Sequence, residues 1–555
     1  MELNEAGLRE RTWWTERGYK LPEFDRKAVR EATGRGPVWV HFGAGNIFRA
    51  FPARAVQELL DQGIMDRGLV AAEGYDTEIL ERVNRPHDEY SVLVTLKADG
   101  TVEKTVVGSV LASYSLDGLK EIFTMDSLQI ASFTITEKGY GVSGAEEDFK
   151  NGPDRARTYM GQVAGLLYRR FLAGKKPIAM VSMDNCSHNG DRLLEAMKAF
   201  AGKWCENGLA DRGFLEYVTD RSRVAFPWTM IDKITPRPGQ DVLKILEEDG
   251  LTGMEPVVTA KNTYAAPFVN AEECEYLVIE DDFPNGRPAL EKAGFLFTDR
   301  ETVEKAEKMK VCTCLNPLHT ALAVFGCLLG YKKISEEMKD GDLVSLLRRI
   351  GYEEGLPAVT DPGILDPGEF LDTVLTVRFP NPFLPDSPQR IATDTSQKLS
   401  VRFGETIKAY MASSDLDMDR LRGIPLVLAG WLRYRMALDD DGRPMELSPD
   451  PMAESLGRQI EKIQFGWKDG ESVSQEEKEF QPERTLQHES TRQTEEGRQP
   501  GIRAILWPVL ADAEVFGVDL FKAGLADRVT EYFTEMAAGP GMVRRTLHAL
   551  GKGEK

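Results

Sequence analysis

The feature that most constrains this chain is a short apolar run ending on two glycines. Pro37-Val-Trp-Val-His-Phe42 reads as a strand, Gly43-Ala-Gly45 as a tight turn, and Ala50 to Gln62 as an amphipathic helix. A strand that enters a helix through a glycine turn is the dinucleotide-binding arrangement. Glycines let the backbone approach a pyrophosphate, and the helix N-terminus, Asn46-Ile-Phe48-Arg49 onward, faces it. The generic fingerprint has a third glycine where Phe48 stands, so a plain turn accounts for the pair equally well. A second strand, Leu69-Val-Ala-Ala-Glu73, ends in an acid roughly 28 residues past the turn. A carboxylate there would hold the ribose hydroxyls of NAD and repel the extra phosphate of NADP. Asp76 competes for that role, and simple solvation is the alternative for either acid.

Further strands follow. Tyr90 to Thr95 and Val102 to Val110 alternate about Ala98-Asp-Gly100 like an antiparallel hairpin. Leu128 to Thr136 and Pro177 to Ser182 read as buried strands, the latter running into Asp184-Asn185-Cys-Ser-His188-Asn189-Gly190. Open α/β sheets place ligands at such strand ends, although Asn189 serves equally well as a helix cap. Phe226 to Pro236 is a compact segment with one acid, Asp232, among apolar neighbours. From about residue 298 the pattern turns helical: 300–311, 317–332, 334–350, 368–376, 403–412, 417–437 and 452–464. Residues 1–35 read as polar turns, and the charged stretch 467–499 as a surface excursion or mobile insert. The expected fold is therefore α/β. A Rossmann-like dinucleotide-binding domain with an N-terminal extension spans 1–298, and a mainly α-helical substrate domain spans 299–555.

Within the helical part, Lys310-Val-Cys-Thr-Cys-Leu-Asn316-Pro-Leu-His319 crowds a lysine, an asparagine and a histidine before the apolar run Thr320 to Leu329. Asn316-Pro317 resembles a helix start, with asparagine as N-cap and proline at the first helical position. Taken singly, Lys310 reads as a surface lysine, Asn316 as a cap and His319 as a satisfied first-turn histidine.

The formal charge of −20 on 555 residues argues against nucleic acid or an anionic membrane as partner. A small anion in a local basic pocket stays compatible with it. No run reaches the roughly 18 apolar residues of a membrane span, and Met1 to Lys20 has no signal-peptide core. The six cysteines show no zinc-ligand or disulfide spacing and read as reduced thiols of a cytoplasmic protein.

Six motifs occur in order: Gly43-x-Gly45-x-x-Phe48-Arg49, Thr134-x-Thr136-Glu137-x-Gly139-Tyr140, Asp184-Asn185-x-x-x-Asn189-Gly190, Asp232-x-Ile234-Thr235-Pro236, Ile279-Glu280-Asp-x-Phe283-x-x-Gly286-Arg287-Pro288 and Leu315-Asn316-x-x-His319. Together, over roughly residues 36–440, they resemble the polyol-specific long-chain dehydrogenase family of mannitol dehydrogenases and hexuronate oxidoreductases. The length and the Cys-Thr-Cys-Leu-Asn-Pro-Leu-His stretch are most similar to the longer hexuronate oxidoreductases. The resemblance implies NAD(H)-dependent, metal-independent ketone–alcohol interconversion, with D-fructuronate and D-mannonate as the leading substrate pair. It also implies site roles. Lys310 would be the general acid/base, Asn189 and Asn316 would polarise the carbonyl, and His319 and Asp232 would bind hydroxyls. Gly43, Gly45, Asn46, Phe48, Arg49 and Glu73 would hold the cofactor.

The chemistry agrees with that assignment. Hydride delivery to a ketone develops negative charge on oxygen, which amide donors stabilise while a cation supplies the proton. A lysine does this near neutral pH when desolvation or nearby positive charge lowers its pKa. One departure stands out: the family usually has the lysine five residues before the asparagine, and here the interval is six. A one-residue bulge would restore the position. For the carboxylate of a uronate the candidate cations are Arg378, Lys398 and Arg402, with Arg378 first because a guanidinium grips a carboxylate with two parallel bonds. An ion pair of Arg378 with Asp372 or Asp386 is the structural alternative. A mannitol or polyol 2-dehydrogenase, a tagaturonate reductase and an inactive sugar-acid-binding protein are the competing functions.

Overall fold

The computed structural model describes residues 1–466 and 501–553, so the charged stretch 467–499 lies outside the described residues. The chain divides into two compact units. The first comprises Met1–Glu307 with Asp361–Asp366 and Asn381–Leu384; the second comprises Lys308–Thr360, Pro367–Pro380 and Pro385–Lys555.

The first unit is built on a six-stranded, all-parallel sheet. Its spatial order is Val110–Ser115, Leu69–Glu73, Trp39–Phe42, Ile130–Phe133, Ile178–Ser182 and Val224–Ala225. Numbered along the chain, the order is 3-2-1-4-5-6, the doubly wound arrangement with its switch point beside the first strand. Both faces are covered, as parallel sheets require. Val40, Phe42, Ala131 and Phe133 join one core with the helices Tyr159–Leu172 and Asn189–Glu206. Trp39, Ala71 and Ile130 join the other with the helix Pro52–Asp61.

The expected hairpin is present as Ser91–Leu96 against Val102–Val107. The predicted run to Val110 breaks at Gly108-Ser109, and Val110 starts a strand of the large sheet instead. A Cβ on Gly108 would lie 2.7 Å from the Tyr90 ring, so the close approach of Tyr90 demands glycine there. Residues 1–35 are more ordered than polar turns. Tyr19–Lys20 pairs with Lys104 and Thr105, and Trp14 is fully buried in the core beside this sheet. The two adjacent tryptophans supplied apolar area that a composition-level reading passed over. A third sheet pairs Thr229–Asp232 with Tyr276–Glu280 and carries Leu296–Thr298 on its edge.

The second unit is helical around Asn316–Leu329, whose residues from Thr320 to Leu328 are all buried. By length and composition the continuous helix Arg300–Leu329 is long and apolar enough to cross a membrane, which departs from the expectation that no segment reaches that limit. Its apolar window is 78 % buried inside the protein, as in a core helix. The predicted helix 334–350 is two, Ile334–Glu337 and Gly341–Arg348, because the Asp340 carboxylate caps the Asp342 amide and restarts the turn. The predicted helix 417–437 shortens to Gly423–Tyr434, where Glu354 accepts the Arg422, Gly423 and Ile424 amides. Among the described residues of this unit, four π-helical turns interrupt the regular helices: Met309–Cys314, Arg349–Gly355, Val374–Arg378 and Ser400–Gly404.

Candidate active site

In the first unit the glycine turn sits at the switch point. Gly43 has φ +99°, and a Cβ there would lie 2.4 Å from the Thr134 carbonyl oxygen, so no other residue fits without moving the neighbouring strand end. At Gly45 a Cβ would meet nothing within 4 Å. That open space begins at the N-terminus of Asn46–Ala50, where a pyrophosphate would approach. Phe48 fills the place of the third glycine from below: its buried ring stacks on His41 at 4.0 Å. His41 in turn bonds Ser132 Oγ at 2.6 Å and Thr134 Oγ1 at 2.8 Å. Burial lowers its pKa to about 3, so a neutral ring props the turn. Arg49 faces inward, donating to the Ala266 carbonyl at 2.7 Å and to Asn46 Oδ1 at 3.1 Å. It orients Asn46 and ties the turn to the strand Phe268–Glu272 beside it.

Glu73 is buried at the end of its strand. One carboxylate oxygen accepts the Tyr75 and Asp76 amides, at 2.8 and 3.1 Å, and the other accepts Ala44 N of the glycine turn at 3.3 Å. Asp76, its competitor, is turned to the Thr259 hydroxyl at 2.5 Å. Of the two acids, Glu73 is the one in contact with the turn. The donors and the open cradle fit a dinucleotide.

The motifs around Thr136 and Asp184 form one cluster. The Asp184 carboxylate accepts the Ile135 and Thr136 amides, at 2.9 and 2.8 Å, and the Tyr140 hydroxyl at 2.5 Å. These bonds hold Thr136 at φ +67°, an uncommon conformation for a β-branched residue. Asn189 is buried at the start of its helix. Its Nδ2 faces the Asp184 carbonyl, the Thr229 carbonyl and Thr229 Oγ1 at 2.9–3.0 Å, while its Oδ1 accepts Thr229 N. Polarising a substrate carbonyl would require Asn189 to release one of these partners. Asp232 lies buried at the end of the adjoining strand, paired in register with Tyr276, and has protein partners of its own.

In the second unit Lys310 is 2 % exposed, so it is not a surface lysine. It lies in the π-turn Met309–Cys314, where Leu315 N bonds the Lys310 carbonyl five residues back at 3.1 Å. The turn absorbs one extra residue. The six-residue interval from Lys310 to Asn316 therefore has the helical phase of five, and the bulge anticipated from the spacing is present. Asn316 is not the N-cap expected: Leu315 holds that position, and Asn316 is the first helical residue. The Asn316 side-chain amide makes no hydrogen bond among the described residues, which leaves it available as a donor.

One turn on, His319 stands among charges that sequence reasoning had only partly gathered. Its Nε2 is 3.6 Å from Asp386 Oδ2, without a hydrogen-bond partner, and its ring tilts against Phe379. Burial lowers its pKa to about 4, opposed by Asp386 and assisted by Arg402, Arg390 and Arg378. Asp386 also pairs with Arg390. Arg378 is buried at the end of the π-turn Val374–Arg378 and has protein partners. Lys398 turns its ammonium to the Thr393 carbonyl, and its pKa is lowered chiefly by burial and then by Arg402. Arg390 was not among the sequence candidates, and Asp386 entered only as a possible ion-pair partner of Arg378. Their signal was the i,i+4 spacing of opposite charges after Phe-Pro-Asn-Pro.

Residues 38–292 match the mannitol dehydrogenase Rossmann domain, and residues 302–478 match the mannitol dehydrogenase C-terminal domain. A D-mannonate oxidoreductase of Thermotoga maritima is 48 % identical to this chain over 99 % of both. Among solved structures, a D-sorbitol dehydrogenase in substrate-free form superposes with TM-score 0.71 at 25 % identity, covering 84 % of this chain and 92 % of that one. The mannitol 2-dehydrogenase of Pseudomonas fluorescens, in ternary complex with NAD and D-mannitol, gives TM-score 0.65 at 24 % identity over the whole of both chains and attests the fold. The chain belongs to the mannitol dehydrogenase family.

Proposed function

We propose that this protein is an NAD(H)-dependent, metal-independent oxidoreductase that interconverts D-fructuronate and D-mannonate in cytoplasmic hexuronate catabolism. The observation that carries the sugar-acid reading is the buried Arg402 guanidinium near His319, held by Thr320 and without an ion pair to any carboxylate among the described residues. A neutral polyol has no use for that cation, whereas a uronate brings a negative charge to it. The D-mannonate oxidoreductase name of the 48 % identical relative supports the same substrate class.

The first unit would hold the cofactor: Gly43, Gly45 and Asn46 would form the cradle, braced by Phe48 and Arg49, and Glu73 would accept from the ribose hydroxyls. Bound NAD(H) supplies or accepts the hydride. Lys310 delivers a proton to the ketone oxygen as negative charge grows there, and its amine recovers that proton in the oxidative direction. Asn316 donates an amide hydrogen to the same oxygen. In the first unit the Asn189 amide becomes free to donate only by giving up a bond to Thr229 or Asp184. Neutral His319 binds substrate hydroxyls as donor and acceptor, and Arg378 and Lys398 complete the polar lining of the second unit; the buried Asp232 of the first unit is a further hydroxyl acceptor.

Absorbance of NADH with D-fructuronate, D-tagaturonate and D-fructose tests the proposal. Fructuronate should give the highest kcat/KM. Binding of NADH without turnover of any ketose would replace it with a non-catalytic sugar-acid binder. Faster turnover of fructose than of either uronate would make the enzyme a polyol dehydrogenase.

A further inference from the structure

We propose that Arg402 selects a sugar acid over a neutral sugar by receiving the substrate carboxylate on a guanidinium that Thr320 holds beside His319. This rests on the uronate reading of the same site.

Arg402 lies in the π-turn Ser400–Gly404, with its backbone amide bonded to the Lys398 carbonyl. Its Nη1 donates to Thr320 Oγ1 at 2.5 Å. The Thr320 hydroxyl hydrogen is already given to the Asn316 carbonyl at 2.9 Å, so its oxygen is turned to accept. Thr320 is buried, and the guanidinium it holds is close enough to His319 for its charge to lower that ring's pKa.

The neighbouring cations are differently occupied. Arg390 has Asp386, Lys398 has the Thr393 carbonyl, and Arg378 is buried with partners. Arg402 forms no ion pair with any carboxylate among the described residues, and Thr320 is its one side-chain acceptor there. Four of its five N–H donors are left over, enough for a bidentate grip on a carboxylate. Burial alone, unopposed by any anion, lowers its pKa to about 10. A desolvated cation without a counter-ion is costly unless an anion arrives with the substrate. These occupancies move the carboxylate contact from Arg378, the first choice on sequence grounds, to Arg402.

The test compares Arg402→Gln and Thr320→Val with the wild type. KM and kcat are measured for D-fructuronate and D-fructose, and D-mannonate binding to the NAD⁺-loaded protein by calorimetry. Loss of a charge-assisted bidentate contact should raise the fructuronate KM and the mannonate Kd roughly 10- to 100-fold. The fructose KM should stay within about twofold and the fructuronate kcat within a few-fold. Thr320→Val, which keeps the charge but frees the guanidinium, should move the same two constants less, and it decides the matter if Arg402→Gln folds poorly. Equal losses for both sugars, or an unchanged fructuronate KM, would overturn the assignment. A wild type that binds mannonate through Arg402 but turns over no uronate would refute the reductase reading and leave the carboxylate contact standing.

Discussion

Deleting Val311 asks whether the residue that sets this chain apart from the usual lysine–asparagine spacing is absorbed by its π-turn. In an α-helix each residue adds about 100° and about 1.5 Å, so an ordinary deletion rotates everything before it by that amount. Here the Lys310–Leu315 bond spans five residues, and closing it to four removes the widening without rotating the flanks. Val303, Ala306, Met309 and Lys310, all 2 % exposed or less, would then keep their faces. The cost would be the contacts of half-buried Val311, about 1 kcal/mol. Without absorption, Val303 and Met309 would turn out of their cores, at roughly 3–6 kcal/mol for the two side chains. Lys310 would leave its position and activity would fall by about 10²–10⁴.

Steady-state NADH absorbance and a thermal melt separate the two outcomes. Absorption predicts kcat/KM within about tenfold of wild type, scaled to the proton-transfer loss above. The midpoint should drop by no more than about 4 °C. A hundredfold loss with a much lower midpoint would show that the six-residue spacing is itself required, and the phase argument would be wrong.

Lys310→Ala should lower kcat by roughly 10²–10⁴ while NADH affinity, read by fluorescence quenching, stays near normal; near-normal turnover would mean another group donates the proton. Chelator should leave the rate unchanged, and loss of activity reversed by added metal would contradict the scheme. Glu73→Ser should narrow the NADH-over-NADPH preference by on the order of tenfold, since a carboxylate near a 2′-phosphate costs a few kcal/mol in a partly desolvated site; a wild type with no preference would refute that role. Glu337 is fully buried with neither carboxylate oxygen hydrogen-bonded, and burial raises its pKa to about 9. The folded chain therefore keeps a proton that the unfolded chain loses near pH 4.5, and stability falls as pH rises through that window. Glu337→Gln should gain on wild type by about 1.4 kcal/mol per pH unit between pH 6 and 8 in urea melts, and a pH-independent difference would refute the buried neutral acid.

The parallel sheet was legible because its strands are continuous apolar runs punctuated by glycine, and Trp39–Phe42, Leu69–Glu73 and Ile178–Ser182 fell where the patterning put them. The order of strands was not, because it depends on which runs share a core. Val110 leaves its apparent hairpin for the large sheet on account of one glycine packed under Tyr90. Lys310, Asn316 and His319 crowd together in the sequence, yet each alone reads as a surface lysine, a cap or a first-turn histidine, and it was the resemblance carried by six ordered motifs that singled them out. The roles of Asp386, Arg390 and Arg402 depend on which acid meets which base after folding, and spacing alone left Arg378 in front. The inward turn of Phe48 and Arg49 was likewise hidden. A residue in a loop fingerprint reads as ligand-facing until its own hydrogen bonds and ring contacts are seen.

Three of the four π-turns among the described residues of the second unit carry a cation of the proposed site: Lys310, Arg378 and Arg402. The association has a physical basis. A helix whose apolar residues follow one period buries a continuous stripe and has no room on it for a cation. Inserting one residue shifts the phase locally, so a polar side chain reaches a pocket while the apolar residues before and after stay in register with their cores. The helix through Lys310 shows this directly. Val303 and Ala306 are buried before the turn, Leu318 and Ala321 after it, and the lysine is buried between them. Such a turn is a weaker hydrogen-bonding unit than an α-turn, and it persists where tertiary packing holds both flanks. The same shift makes the site hard to see in the sequence, because the residues that do chemistry are the ones that fall out of the period.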